Sequence, residues 1–189
     1  MDGFEPETGL MISTERLILR RFHFEDVVDL IELVSDASVA AEVDEFQPSE
    51  ESVRAYIDRQ NTIEPFGENQ VVDLAIERIE DGKVIGLVTV IQKQFEKVEI
   101  GYALGGLYRG RGYATEAARA VVEHCFRERH SHRVQAIASS GNPKSWRVME
   151  RLGMKLEGRL REANLREGKW CDLLYYGVLA DEWEPGARR

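Results

Sequence analysis

Arg109-Gly110-Arg111-Gly112 lies between a segment that alternates and a segment that repeats every three to four residues. Upstream, over residues 96–104, Val98, Ile100, Tyr102 and Leu104 point one way and Glu99, Gly101 and Ala103 the other, which predicts a strand. Downstream, Ala114, Ala117, Ala118, Val121, Val122, Cys125 and Phe126 recur on one helical face. A strand, a Gly/Arg turn and a helix start together suit an anion. The first amides of a helix have no acceptor within it, and the helix dipole adds partial positive charge there. Glycines let a phosphate come close to the main chain, and two guanidiniums supply charge and forked donors. A Walker-type phosphate loop would need Gly-Lys-Ser/Thr at the helix start, which is absent. A dinucleotide fingerprint fits loosely: its third small residue falls on Thr115, several strands precede it, and the next strand ends in Ser139-Ser140 instead of an acid. The plain alternative is a glycine turn with solvated arginines.

The elements around this turn follow from the same patterns. Residues 1–13 hold Gly, Pro and acids without periodicity and are expected to be a loose lead-in to a single domain over 14–184. A strand is predicted over 16–22, a helix over 25–36, and a second helix from Ser49 to about Ile63, with Ser49 and Ser52 as candidate caps. Strands over 70–79 and 83–92 meet at Asp81-Gly82, a hairpin signal. The second of these is apolar on both faces and so belongs mid-sheet. After the long helix, residues 133–139 form a strand expected to run parallel to 96–104, because a helix connects them. Asn142-Pro143 opens a short helix that Gly153 ends. Two strands, about 154–163 and 170–179, close the chain around Glu167-Gly168. The order predicts an α+β (mixed α/β) fold with a mostly antiparallel sheet, one parallel pair and flanking helices.

Arg109-x-x-Gly112-x-Ala114 after such a strand resembles the pyrophosphate loop of GNAT-superfamily N-acetyltransferases. Thr14-Glu15-Arg16-Leu17-Ile18-Leu19-Arg20 is similar to the first strand of the RimJ/RimL-like branch, which acetylates ribosomal-protein N-termini. Asn142-x-x-Ser145-x-Arg147-x-x-Glu150-x-Leu152-Gly153 resembles its second coenzyme segment, and Trp170-x-Asp172 with Tyr176 its last strand. The resemblance covers nearly the whole chain. It implies a GNAT-like acyl-CoA N-acyltransferase fold whose parallel pair splays apart to admit the pantetheine arm. Gly105-Gly106 is the expected place of the splay; the family often has Asp-Pro there, and the double glycine would loosen the loop. The acetyl donor implied is acetyl-CoA. The coenzyme-binding residues implied are Tyr102, Ala103, Leu104, Arg109, Gly110, Arg111, Gly112, Tyr113, Ala114, Thr115, Asn142 and Arg147.

Acetyl transfer to an amine needs a proton acceptor for the ammonium, a donor for the thioester oxygen and, optionally, an acid for the leaving thiolate. The resemblance makes Glu99 the base and Ser145 the acid. Many members of the superfamily carry Tyr seven residues after the Asn; here that position is Met149, which has no proton to give. Each residue also has a plainer reading: Glu99 as a solvated strand acid, Ser145 as a first-turn hydroxyl, Asn142 as a helix cap. Trp170, Asp172 and Tyr176 are expected to shape the substrate end, and Asp44 and Glu45 to meet the amine. The acceptor is a protein N-terminal amine or a small amine. A non-catalytic acyl-CoA-binding module with the same fold is the alternative.

The composition agrees. The first hundred residues carry 9 Lys/Arg against 23 Asp/Glu, and the remainder 16 against 11, within a net charge of −9. A basic half suits a polyanionic coenzyme and an acidic half a cationic amine; ordinary solvated surface is the plain alternative. Nucleic acid is a poor partner for so acidic a chain. No run approaches a membrane span or a signal peptide. Cys125 and Cys171 lack metal-ligand, CxxC or Cys–His spacing, so a cytoplasmic setting, reduced thiols and direct attack without a covalent enzyme intermediate are expected, in a monomer or homodimer.

Overall fold

A computed structural model describes residues 10–40, 47–166 and 168–184. The strands in chain order are β1 (Ile12–Ser13), β2 (Leu17–Arg20), β3 (Val71–Arg78), β4 (Lys83–Lys93), β5 (Lys97–Leu104), β6 (Arg133–Ser139), β7 (Lys155–Arg166) and β8 (Lys169–Leu179). The helices are α1 (Val27–Ser35), α2 (Ala37–Ala40), α3 (Glu50–Thr62), α4 (Tyr113–Arg127) and α5 (Pro143–Arg151). The strands form one sheet in the order β1-β2-β3-β4-β5-β6-β8-β7. Every adjacent pair is antiparallel except β5 and β6. The apolar strand read as central, β4, lies inside the sheet.

Two layers cover the sheet. On one face Val98, Ile100 and Leu104 of β5 pack with Ala117, Ala118, Val121 and Val122 of α4 and Val148 and Met149 of α5. On the other, Ala75, Leu87 and Ala103 pack with Leu30 and Leu33 of α1 and Val53, Tyr56 and Ile57 of α3. The strand alternation and the helical stripe therefore meet as their periods require. Ser49 caps α3, its side chain accepting from the Ser52 amide at 3.2 Å. Asn142 caps α5, accepting from the Ser145 amide at 3.3 Å, with Pro143 in the first turn. Gly153, at φ 79°, closes α5.

Three expectations change. β2 spans 17–20 instead of 16–22, and Ile12–Ser13, expected within the loose lead-in, pairs with it. The parallel ladder runs Lys97↔Arg133, Val98↔Val134 and Glu99↔Gln135, and ends there. The splay thus opens after Glu99, well before Gly105-Gly106. β6 stays paired to β8 as far as Ser139↔Leu173, and β5 to β4 as far as Leu104↔Gly86, so each strand follows its antiparallel partner away from the other. The double glycine is tied down: the Gly106 amide donates to the Asp36 carboxylate at 2.7 Å, and Arg109 Nε donates to the Leu104 carbonyl at 2.8 Å.

Candidate active site

Where β5 and β6 part, a cleft of about 480 Å³ opens. That is within the usual range for a small-molecule site. β5 contributes Ile100, Gly101, Tyr102 and Ala103, and β6 contributes Ile137, Ala138 and Ser139. Asn142, Ser145 and Met149 come from the start of α5, Val71 and Asp73 from β3, Leu87 and Thr89 from β4, and Asn164, Arg166 and Leu173 from β7 and β8. The Glu96 carbonyl accepts from the His132 and Arg133 amides on the β6 side. Main-chain direction alternates along a strand, so Ile100, Tyr102 and Leu104 present their amides and carbonyls to the same side, beyond the end of the ladder. An extended ligand in the cleft can bond to such a strand as an added strand would.

β5 leads through a short 3₁₀ turn, Gly106–Tyr108, to the Arg/Gly turn and α4. Gly110 and Gly112 have φ of 75° and 85°, values that disfavour any side chain. Gly110, Arg111 and Gly112 are exposed, and no side chain caps the start of α4. The amides at the start of α4 thus face outward from a turn without side-chain bulk, an arrangement that fits a diphosphate. Tyr113 is buried, so its ring serves the core and only its main chain can serve a ligand. Arg16 lies 4.5 Å over that ring, donates to the Arg111 carbonyl at 3.1 Å and pairs with Glu116. Thr14 donates to the other Glu116 oxygen at 2.7 Å. The Thr14-Glu15-Arg16 segment therefore clamps the turn from beneath.

Tyr102 and Ser145 are brought together across the cleft. The Tyr102 hydroxyl donates to the Ser145 carbonyl at 2.8 Å, and Ser145 Oγ lies 3.5 Å from that hydroxyl. Glu99 stands at the closed end. Its Oε2 accepts from Gln135 Nε2 at 2.9 Å and lies 3.7 Å from Lys93 Nζ. It does not line the cleft, although it shares a strand face with Gly101 and Ala103, which do. Arg147 is exposed, over the Trp146 ring at 5.4 Å.

Trp170, Asp172 and Tyr176 do not line the cleft; Leu173 does. Trp170 is exposed. Asp172 accepts from the Glu162 amide and from Arg159, and these bonds hold its carboxyl below the usual carboxylate range. Tyr176 is buried with its hydroxyl 3.5 Å from Glu150, and burial, then the Glu150 charge, raises its pKa. Asp44 and Glu45 lie outside the described residues. Burial pushes the Cys125 thiol up to about 12, so it stays protonated and is no nucleophile.

Of the residues named as site residues from the sequence, Tyr102, Ala103, Asn142 and Ser145 line the cleft; among the lining residues not named is an acid, Asp73. Asp73 is only 5% exposed and accepts from Tyr56 Oη at 2.6 Å and Thr89 Oγ1 at 2.5 Å. The available signal was a single acid inside the apolar run Val71-Val72-Asp73-Leu74-Ala75-Ile76.

Residues 16–155 match the family described as Acetyltransferase (GNAT) domain. The uncharacterized N-acetyltransferase YnaD of Bacillus subtilis strain 168 is 34% identical over 174 residues, 91% of this chain and 98% of that protein. The [ribosomal protein uS5]-alanine N-acetyltransferase of Escherichia coli K12 is 28% identical over 110 residues, 57% of each chain. The crystal structure of a GNAT-family acetyltransferase from Bacillus anthracis superposes with a TM-score of 0.76 at 29% identity, covering 92% of this chain and all of that one. A family match across three quarters of the sequence, a full-length relative and a shared fold lead to one assignment: this chain belongs to the GNAT acetyltransferase family.

Proposed function

We propose that this protein transfers an acetyl group from acetyl-CoA to a primary amine, either a protein N-terminus or a small amine, by direct attack. The observation that carries the reading is the early end of the β5–β6 ladder, which leaves a cleft beside strand main chain on the strand that leads to the uncapped α4 turn. In this reading the amides at Gly112–Thr115, with Gly110, Arg111 and Arg109, hold the diphosphate. The main chain of Tyr102 and Leu104 and the Asn142 side chain hold the pantetheine arm, Ala103 between them lines the cleft, and Arg147 meets outer phosphate. The amine nitrogen attacks the thioester carbonyl, the C–N bond forms and the C–S bond breaks. Glu99 takes the ammonium proton, reached through water because its carboxylate sits behind the cleft wall. Ser145 gives its proton to the thiolate, and the second proton that the nitrogen loses as the amide forms replaces it. A cytoplasmic setting fits two free thiols and the uS5-modifying relative. Among the described residues no helix is long and apolar enough to cross a membrane.

The test is release of free thiol from acetyl-CoA against ribosomal N-terminal peptides, polyamines and aminoglycosides. The expected result is amine-dependent release with at least one class. Thermal stabilisation by acetyl-CoA with no release for any amine would instead mark a binding module.

A further inference from the structure

Glu116 is the acid in the first turn of α4, the helix whose start is read as the diphosphate site. An anion there sits at the positive end of the helix dipole and repels a second anion bound to the same amides. The segment between β1 and β2 answers it. Glu116 Oε1 accepts from Thr14 Oγ1 at 2.7 Å and from the Arg16 amide at 2.9 Å. Its Oε2 accepts from Arg16 Nε at 2.7 Å and lies 2.5 Å from Arg16 Nη2. These donors turn the carboxylate toward the β1–β2 segment, and the guanidinium cancels its charge. The pair is part-exposed, its side chains 42% accessible at Arg16 and 18% at Glu116, so it contributes little to folding stability.

The same guanidinium reaches the glycine turn. Arg16 Nη1 donates to the Arg111 carbonyl at 3.1 Å, and Nη2 lies 3.4 Å from where a Cβ of Gly112 would be. The buried Tyr113 ring, 4.5 Å from the guanidinium, backs it on one face. A peptide bond is planar and trans, so its carbonyl and its N–H point in opposite directions. Holding the Arg111 carbonyl toward Arg16 therefore turns the Gly112 N–H away from Arg16 and presents it on the far side of the turn. One side chain thus acts on both halves of an anion site, its charge and its donors.

We infer that Arg16 is a positioning residue of the coenzyme site: it cancels the Glu116 charge at the start of α4 and aims the Gly112 amide at the diphosphate. This rests on the reading that a coenzyme diphosphate lies at the α4 turn, and it gives the β1–β2 segment a role that the turn's own residues do not supply. No bond from Arg16 to the coenzyme is required, since its Nε and Nη2 serve Glu116 and its Nη1 serves Arg111.

The experiment compares wild type, Arg16→Met, Arg16→Lys and the double variant Arg16→Met with Glu116→Gln. CoA is titrated by calorimetry, the free proteins are melted, and thiol release from acetyl-CoA is followed with the amine that wild type uses fastest. Arg16→Met should weaken CoA binding about tenfold or more and raise KM for acetyl-CoA to match, with kcat changed less than about threefold and melting lowered by less than about 5 °C. Removing the acid's charge as well should recover about threefold or more of the lost affinity. A merely structural tie cannot give that recovery, because the double variant has no more bonds between the two segments than Arg16→Met. Arg16→Lys keeps a charge beside Glu116 but lacks the fork that also reaches Arg111. It should bind CoA about threefold or more weaker than wild type, and it keeps the test readable if Arg16→Met fails to fold. Variants that bind CoA as wild type does, or a double variant no better than Arg16→Met, overturn the assignment while leaving the acetyltransferase reading in place. Wild type that binds no CoA sinks both.

Discussion

Two side chains carry the proposed proton transfers, and their surroundings set different expectations. Glu99 is cross-linked to Gln135 at the last rung of the parallel ladder. Glu99→Gln keeps a bond to Gln135 within reach and removes the base. It should lower kcat at neutral pH by about 10²-fold while acetyl-CoA still stabilises the protein, as thiol-release kinetics and melting curves would show. Unchanged turnover at saturating amine would make Glu99 a joint between strands and nothing more. Ser145 differs because its amide and carbonyl already serve Asn142 and Tyr102. Ser145→Ala leaves both main-chain bonds, so only the hydroxyl is tested. The expected outcome is a larger fall in kcat than in acetyl-CoA affinity; loss of affinity alone would make it a binding residue.

At the scale of elements, the α4 turn joins stability to coenzyme binding. Gly112 sits at φ 85° with Arg16 Nη2 3.4 Å from where a Cβ would be. Gly112→Ala should cost about 1–2 kcal/mol and lower the melting temperature by about 2–8 °C. It should also weaken acetyl-CoA binding by about tenfold, measured by titration calorimetry; undiminished affinity would place the diphosphate elsewhere. These elements were largely legible from local chemistry. Asn142-Pro143, Ser49 and Gly153 marked helix ends because caps act within a few residues, and Asp81-Gly82 marked the β3–β4 turn. β1 was not legible, since two residues carry no period and pair only because β2 lies beside them. Nor was the point of splay. Alternation says which face a residue takes, but the length of a ladder depends on a partner strand far along the chain. Asp73 was overlooked for the same reason: its donors Tyr56 and Thr89 are close only once α3 and β4 are packed.

Across the whole molecule, charge and architecture divide in nearly the same place. The acidic first hundred residues supply β1 to the first half of β5 with α1–α3, and the basic remainder supplies the rest of β5, α4, α5 and β6–β8. The cleft lies along that boundary, with Asp73 on one side and Arg166 on the other. Far from it, His124 on α4 packs on Phe66 at 5.6 Å with its Nε2 buried and unbonded among the described residues. Burial lowers its pKa, aided by Arg129 and opposed by Glu128. The unfolded chain therefore binds this proton more readily than the folded one. The neutral ring's contribution to stability is whole above the unfolded pKa of about 6.5 and is lost as pH falls through the lower folded value. His124→Phe should show a smaller drop in melting temperature between about pH 7 and about pH 5 than wild type; parallel curves would assign the acid sensitivity to other groups.

The brevity of the β5–β6 ladder has a mechanical consequence. Three rungs join two otherwise continuous plates, one of five strands and one of three, with α4 and α5 bracing the seam on one face. A wedge driven between the plates meets β5 laced to β4 on one side, β6 laced to β8 on the other, and a short weld at its tip. Any yielding is therefore a rocking of one plate about Val98 and Val134, which widens or narrows the mouth without disturbing either interior.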